Sequence, residues 1–163
     1  PAGREAALVR WGLTPAWLRD LSRAPAQARA ETLAEQPLFR EAFAQRRGLL
    51  PANGFYEWRG VRRQPFWMSS AELPLLSMAA LWEAYPVGGR VYLSAAVVTV
   101  AAGPQRRPLL LDPAGEALWL DPAATPADLQ ALIQAPPLPL RERLLAGLGN
   151  RPQEEGPQCL TPV

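Results

Sequence analysis

The chain has 163 residues, a formal charge of +2, 17 arginines, and neither lysine nor histidine. Without His, no Ser-His-Asp or Cys-His relay and no His-ligated metal site can form, and the one cysteine, Cys159, allows neither an intrachain disulfide nor a cysteine zinc site. No apolar run approaches the ~18–20 residues of a membrane span and no Walker A or GxGxxG loop is present, so we expect a soluble cytoplasmic chain with no membrane, metal or cofactor. Arg suits bidentate phosphate contacts and base stacking, but a GC-rich coding sequence also produces an arginine excess, and the net charge does not demand a polyanion.

In chain order, EAALVRWGLT (5–14) reads as a strand that ends at Thr14-Pro15, followed by a short turn or helix, PAWLRDL. Residues 24–34 are Ala-rich and could be helical in part. PLFREAFAQRR (37–47) reads as a helix: Pro37 suits its first turn, Leu38, Phe39, Ala42 and Phe43 form one apolar stripe, and Gly48 can close it. Strands then follow: GLLPA, GFYEWRG after an Asn53-Gly54 turn, and QPFWMSS across the turn GVRR as a hairpin. LPLLSMAALWEAY and RVYLSAAVVTV pair through a second hairpin at 86–89, and RRPLLLD and GEALWLD are expected to pair across Pro113-Ala114-Gly115. The last helix starts at Thr125, with Pro126 at its first position, Asp128 three residues after the cap, and Leu129, Leu132 and Ile133 inward. The Pro- and Gly-rich tail is expected to run over the surface. The pattern is one α+β domain over 1–163: a largely antiparallel, curled, barrel-like sheet with peripheral helices.

Within this frame NGFYEW (53–58) stands out, because Glu57 lies in a strand of aromatics. Alternation puts Phe55 and Glu57 on one face and Tyr56 and Trp58 on the other. Glu57 is either a solvated strand residue or an acid held beside aromatic surface. Three further clusters carry chemistry-bearing side chains. In VRWGLTPAW, Trp11 and Trp17 bracket a turn and serve either core packing or base stacking. In QARAET, Gln27, Arg29 and Glu31 fall on alternate positions. In QRRPLLL, Arg106 and Arg107 lie at the mouth of an apolar strand, as edge gatekeepers or phosphate contacts.

Taken in order, RWGLTPAW, ARAET, PLFREAFAQRRGLLPANGFYEW, ALWE, RRPLLLDP and WLDP resemble the SRAP family, the SOS-response-associated peptidases or abasic-site processing proteins. The resemblance runs from about residue 9 through GLGNRPQEEGPQCLTPV. It implies an SRAP-like fold and binding of single-stranded or gapped DNA with abasic sites in the nucleoid. It also implies capture of the abasic aldehyde as a thiazolidine by an amino-terminal cysteine, with self-processing peptidase and lyase-type chemistry. Glu57 matches the family glutamate that moves protons during imine formation and opening; a carboxyl among aromatics is expected to have a raised pKa. Trp11 and Trp58 would pack the kinked strand, Gln27 stands where the family has asparagine, and Arg29 and Arg106 would hold phosphates.

This sequence also departs from the family pattern. The family opens Met-Cys-Gly-Arg several dozen residues before RWGL, whereas here Pro1 lies nine residues before Arg10. The family histidine, in His-x-Arg-Met-Pro, falls near Pro104. Cys159 is internal and has no free α-amine to close a thiazolidine, while a terminal Pro1 would be a secondary amine able to form an iminium. The expectation is an amino-terminally incomplete domain with weakened or lost catalysis. The alternatives are a non-enzymatic DNA-binding remnant and an inert one. Missing strands would leave a sheet edge open to self-association.

Overall fold

The computed structural model describes residues 3–146, 153 and 155–163. The chain divides into two compact units, residues 1–50 with 77–136, and residues 51–76 with 137–163. Pro1 and most of GLGNRPQEE lie outside the described residues.

The first unit is organised by one long strand, β7 (Arg90–Ala102). Its β-branched and alanine-rich text, RVYLSAAVVTV, is compact enough to be paired on both sides. β1 (Arg10–Trp11) and β2 (Gln27–Arg29) pair with it in parallel. β6 (Leu76–Val87) and β8 (Gln105–Pro108) pair with it antiparallel. β9 (Leu110–Leu111) pairs with β6, and β3 (Arg47–Ala52) lies beyond β6, making seven strands. The turn between β6 and β7 is Gly88-Gly89, with φ of 56° and 77°; two consecutive left-handed positions match a tight hairpin and require glycine.

Alternation along β7 sorts its side chains. Ala96 and Val98 point into a core with Leu13, Ala28, Leu81, Leu109 and Trp119. Three helices, α1 (Arg40–Gln45), α2 (Pro113–Leu120) and α3 (Pro126–Gln134), supply Ala42, Trp119 and Leu129 to the same core. Leu13 and Leu81 are completely buried, each contributing roughly 1.5–3 kcal/mol of transfer free energy. The buried Trp119 has its polar end satisfied, its indole N–H donating to the Gly48 carbonyl at 3.0 Å. Arg47 ties two helix ends together by donating to the carbonyls of Phe43, Ala44, Trp119 and Asp121.

The second unit is a three-stranded antiparallel sheet, β4 (Phe55–Arg59), β5 (Gln64–Ser70) and β10 (Leu140–Leu144), with β5 in the middle. After β10 the chain continues into a bridge between Leu145 and Pro162.

The α+β class, both glycine-turn hairpins and the helix capped by Thr125 are as expected; the capping box between Thr125 and Asp128 is present. Several expectations are corrected. The large sheet of this α+β fold is not closed. Strand β1 covers Arg10–Trp11 rather than 5–14, and α1 covers Arg40–Gln45 rather than 37–47. GEALWL is not a hairpin strand but helix α2: Asp112 caps it, accepting from the Gly115 N–H at 2.7 Å, and Pro113 takes the first position. Asp-Pro is the same start signal as Thr125-Pro126, and it outweighs the turn character of Gly115. The tail does not simply cross the surface, since LRERL forms edge strand β10, with alternating charges that protect an exposed edge. Gly54 is not a left-handed turn residue. A Cβ there would lie 2.4 Å from the Trp67 ring and 2.5 Å from the Met68 carbonyl, so glycine is required by close approach.

Candidate nucleic-acid interface and buried carboxylate

In the first unit, residues paired directly across a sheet share a face. Trp11 is opposite Ala95, Gln27 opposite Val97, Arg29 opposite Thr99, and Arg106 opposite Ala101. Ala95, Val97, Thr99 and Ala101 alternate along β7, so all four sequence-predicted residues of this unit lie on one face. That face is the reverse of the one carrying Ala96 and Val98 into the core. Ala28, between Gln27 and Arg29, turns inward and anchors β2.

Trp11 is 65% exposed, and its indole N–H donates to the Ala26 carbonyl at 2.7 Å, which fixes the ring while leaving its surface open. Trp17 is also exposed. Gln27 and Arg29 are exposed, and Arg29 has no ion-pair partner among the described residues. Arg106 is placed differently. Its Nε donates to Thr99 Oγ1 at 3.0 Å and its Nη2 to the Thr99 carbonyl at 2.7 Å. The outer edge of the guanidinium makes a two-point contact with Glu31, at 3.2 and 2.8 Å. The Arg106 hydrogen bonds hold the Glu31 carboxyl below its usual pKa, against a smaller opposing effect of burial. Glu31 sits in a 3-10 turn, Ala30–Thr32, immediately after β2.

In the second unit Glu57 is opposite Phe66 and only 4% exposed. As expected it shares a face with Phe55, while Tyr56 and Trp58 lie on the other. The aromatic cluster belongs to that other face: Tyr56 stacks on Trp58 with centroids 5.7 Å apart and meets Trp67 edge-on at 5.1 Å. Arg63 lies over the Trp58 ring at 5.9 Å. Burial pushes the Tyr56 phenol pKa upward. Glu57 therefore is not set among Tyr56 and Trp58; its charged neighbour is Arg59, whose Nε–H it accepts. Arg59 crosses over Phe66, 4.4 Å from the ring centre, and its two Nη groups reach the Glu142 carboxylate at 2.8 Å each. Its bonds to Glu142, then to Glu57, keep the Arg59 pKa above the ordinary arginine value despite desolvation. Burial opposes charge on Glu57 and the guanidinium supports it.

Sequence reasoning missed Arg59, Glu142 and Thr99. Alternation within GFYEWR would have put Arg59 on the face of Glu57. Glu142 had no local signal, because it arrives through the β5–β10 pairing. Among the described residues no group of three His, Cys, Asp or Glu side chains gathers as a metal site, and no helix is long and apolar enough to cross a membrane.

Comparison with known proteins bears on the family and the fold. The family model "SOS response associated peptidase (SRAP)" matches residues 1–143. The chain is 31% identical to abasic site processing protein YoqW of Bacillus subtilis, over 93% of this chain and 74% of that protein. It is 27% identical to abasic site processing protein HMCES of Xenopus tropicalis, over 98% of this chain and 58% of that one. Among solved structures, a protein from Bacteroides thetaiotaomicron superposes with a TM-score of 0.82 at 22% identity, covering 94% of this chain and 75% of that one; this likeness concerns the fold alone. A Bordetella bronchiseptica protein gives a TM-score of 0.75 at 25% identity, covering 88% and 78%. Motif order, fold and matched length lead to one conclusion: the chain belongs to the SRAP family.

Proposed function

We propose that this protein processes abasic sites, binding single-stranded or gapped DNA through the sheet face that carries Trp11, Gln27, Arg29 and Arg106. The observation that carries the reading is their common register face on β1, β2 and β8 against β7. An exposed indole offers a stacking plane, an amide offers a donor and acceptor, and Arg29 offers a phosphate contact. Trp58 contributes aromatic surface in the second unit.

Glu57 supplies proton transfer. When an amine adds to the open-chain aldehyde, the carbinolamine hydroxyl leaves as water only after gaining a proton, and reversal requires that proton back. A buried carboxyl that exchanges a proton with the adduct serves both directions. A thiazolidine crosslink additionally needs a thiol beside a free α-amine, which the internal, buried Cys159 does not provide.

A second reading, strand binding without covalent chemistry, is favoured by one specific observation. These 163 residues contain no histidine, the side chain whose ordinary pKa best suits proton transfer near neutral pH. Borohydride trapping on single-stranded DNA with one abasic site, beside binding to the same strand with a reduced site, separates the readings. A trapped adduct lost in Glu57→Gln supports processing. Salt-sensitive binding with no adduct supports the second reading. Absence of binding to either strand removes both.

A further inference from the structure

The contact between Arg106 and Glu31 suggests how this face is kept ready for a strand. We propose that the outer edge of the Arg106 guanidinium is a phosphate seat, and that the Glu31 carboxylate occupies it until a DNA phosphate takes its place. This deepens the DNA-binding reading above and rests on it.

The geometry separates the parts that aim the seat from the part that fills it. Thr99 is buried and holds the guanidinium from behind, through its Oγ1 at 3.0 Å and its carbonyl at 2.7 Å. Those bonds do not involve Glu31, so the fork stays aimed when Glu31 leaves. Glu31 fills the front edge with two carboxylate oxygens. A guanidinium fork suits two oxygens of a phosphate as well as two of a carboxylate.

Exchange is accessible because the Glu31 side chain is 50% exposed and can turn into water. A half-exposed ion pair contributes little, so displacing it is not a large obstacle. Arg29, paired in register with Thr99 and without an ion-pair partner among the described residues, places a second positive charge next to the seat. Glu31 thus keeps Arg106 oriented and electrically satisfied, and reserves its fork for an anion that arrives with further contacts.

The test uses the full chain and inorganic phosphate. The Arg106 Nε–Hε resonance is assigned by its loss in Arg106→Gln, then followed as phosphate is added to the wild type, Glu31→Gln and Glu31→Ala. The expected result is a saturable shift in both Glu31 variants at concentrations that leave the wild-type resonance in place. Equal responses in all three proteins, or none in the two variants with native-like spectra, overturn the seat. In parallel, Glu31→Gln is expected to bind single-stranded DNA more tightly by up to about fivefold, since a half-exposed pair no longer has to be broken. Adding Arg106→Gln to Glu31→Gln should remove that gain. Binding that is unchanged or weaker in Glu31→Gln overturns the exchange. A phosphate shift in the Glu31 variants, with no DNA binding by any protein, upholds the seat and sinks the DNA reading.

Discussion

Arg59 donates its Nε–H to Glu57, two residues earlier on the same strand, and so gives a buried carboxylate its counter-charge. The pair is completed from outside the strand, because Glu142 on β10 takes both Nη groups of Arg59. A short contact within the strand therefore holds Glu57, and a long-range one holds its cation, Arg59. Removing the cation should be felt first at Glu57. Arg59→Met is expected to lower stability by about 2 kcal/mol, below the range for fully buried pairs because Arg59 is partly exposed. Urea unfolding checks this, and combining Arg59→Met with Glu57→Gln should recover part of the loss. A double variant no better than the single one would place the cost elsewhere.

Ser77 Oγ–H donates to Glu116, and Arg4 reaches the same carboxylate from the amino-terminal segment. The Ser77 bond first, then Arg4, hold the Glu116 pKa below its usual value against desolvation. A depressed folded-state pKa stabilises above the unfolded value, and the contribution is lost as pH falls through the folded one. Ser77→Ala is therefore expected to cost about 0.5–1.5 kcal/mol at pH 7, with the gap to wild type narrowing as the medium is acidified below the ordinary glutamate range. Urea midpoints over an acid series read this directly; a gap that widens on acidification would contradict it.

Gly54 has no room for a side chain, its Cβ position being 2.4 Å from the Trp67 ring. Gly54→Ala is expected to destabilise by about 1–3 kcal/mol through displacement of Trp67 or the β4–β5 backbone. Thermal unfolding gives the size and near-UV circular dichroism reports whether Trp67 moved. An unchanged melting temperature and spectrum would refute the steric reading.

Arg29 carries no ion pair among the described residues and is exposed on the proposed interface. Arg29→Gln is expected to weaken single-stranded DNA binding similarly for all sequences and to reduce the slope of log K against log salt by about 0.7, the loss of one phosphate contact. Fold stability should be nearly unchanged. An unaltered salt slope would remove Arg29 from the interface.

Local text was sufficient wherever neighbours along the chain carry the physics. Thr125-Pro126 with Asp128 determined a helix start, Gly88-Gly89 determined a tight turn, and alternation in GFYEW determined that Glu57 faces away from Tyr56 and Trp58. The family was legible in the order of its motifs. Tertiary structure decided what depends on partners far along the chain: that Glu142 on β10 meets Arg59, that Trp11, Gln27, Arg29 and Arg106 share one face through β7, and that Arg106 is already engaged by Glu31. Each of these follows from strand register. In the first unit a shift of one residue would turn Trp11, Gln27, Arg29 and Arg106 to the opposite face, and the packing of Ala28, Ala96 and Val98 in the core excludes it.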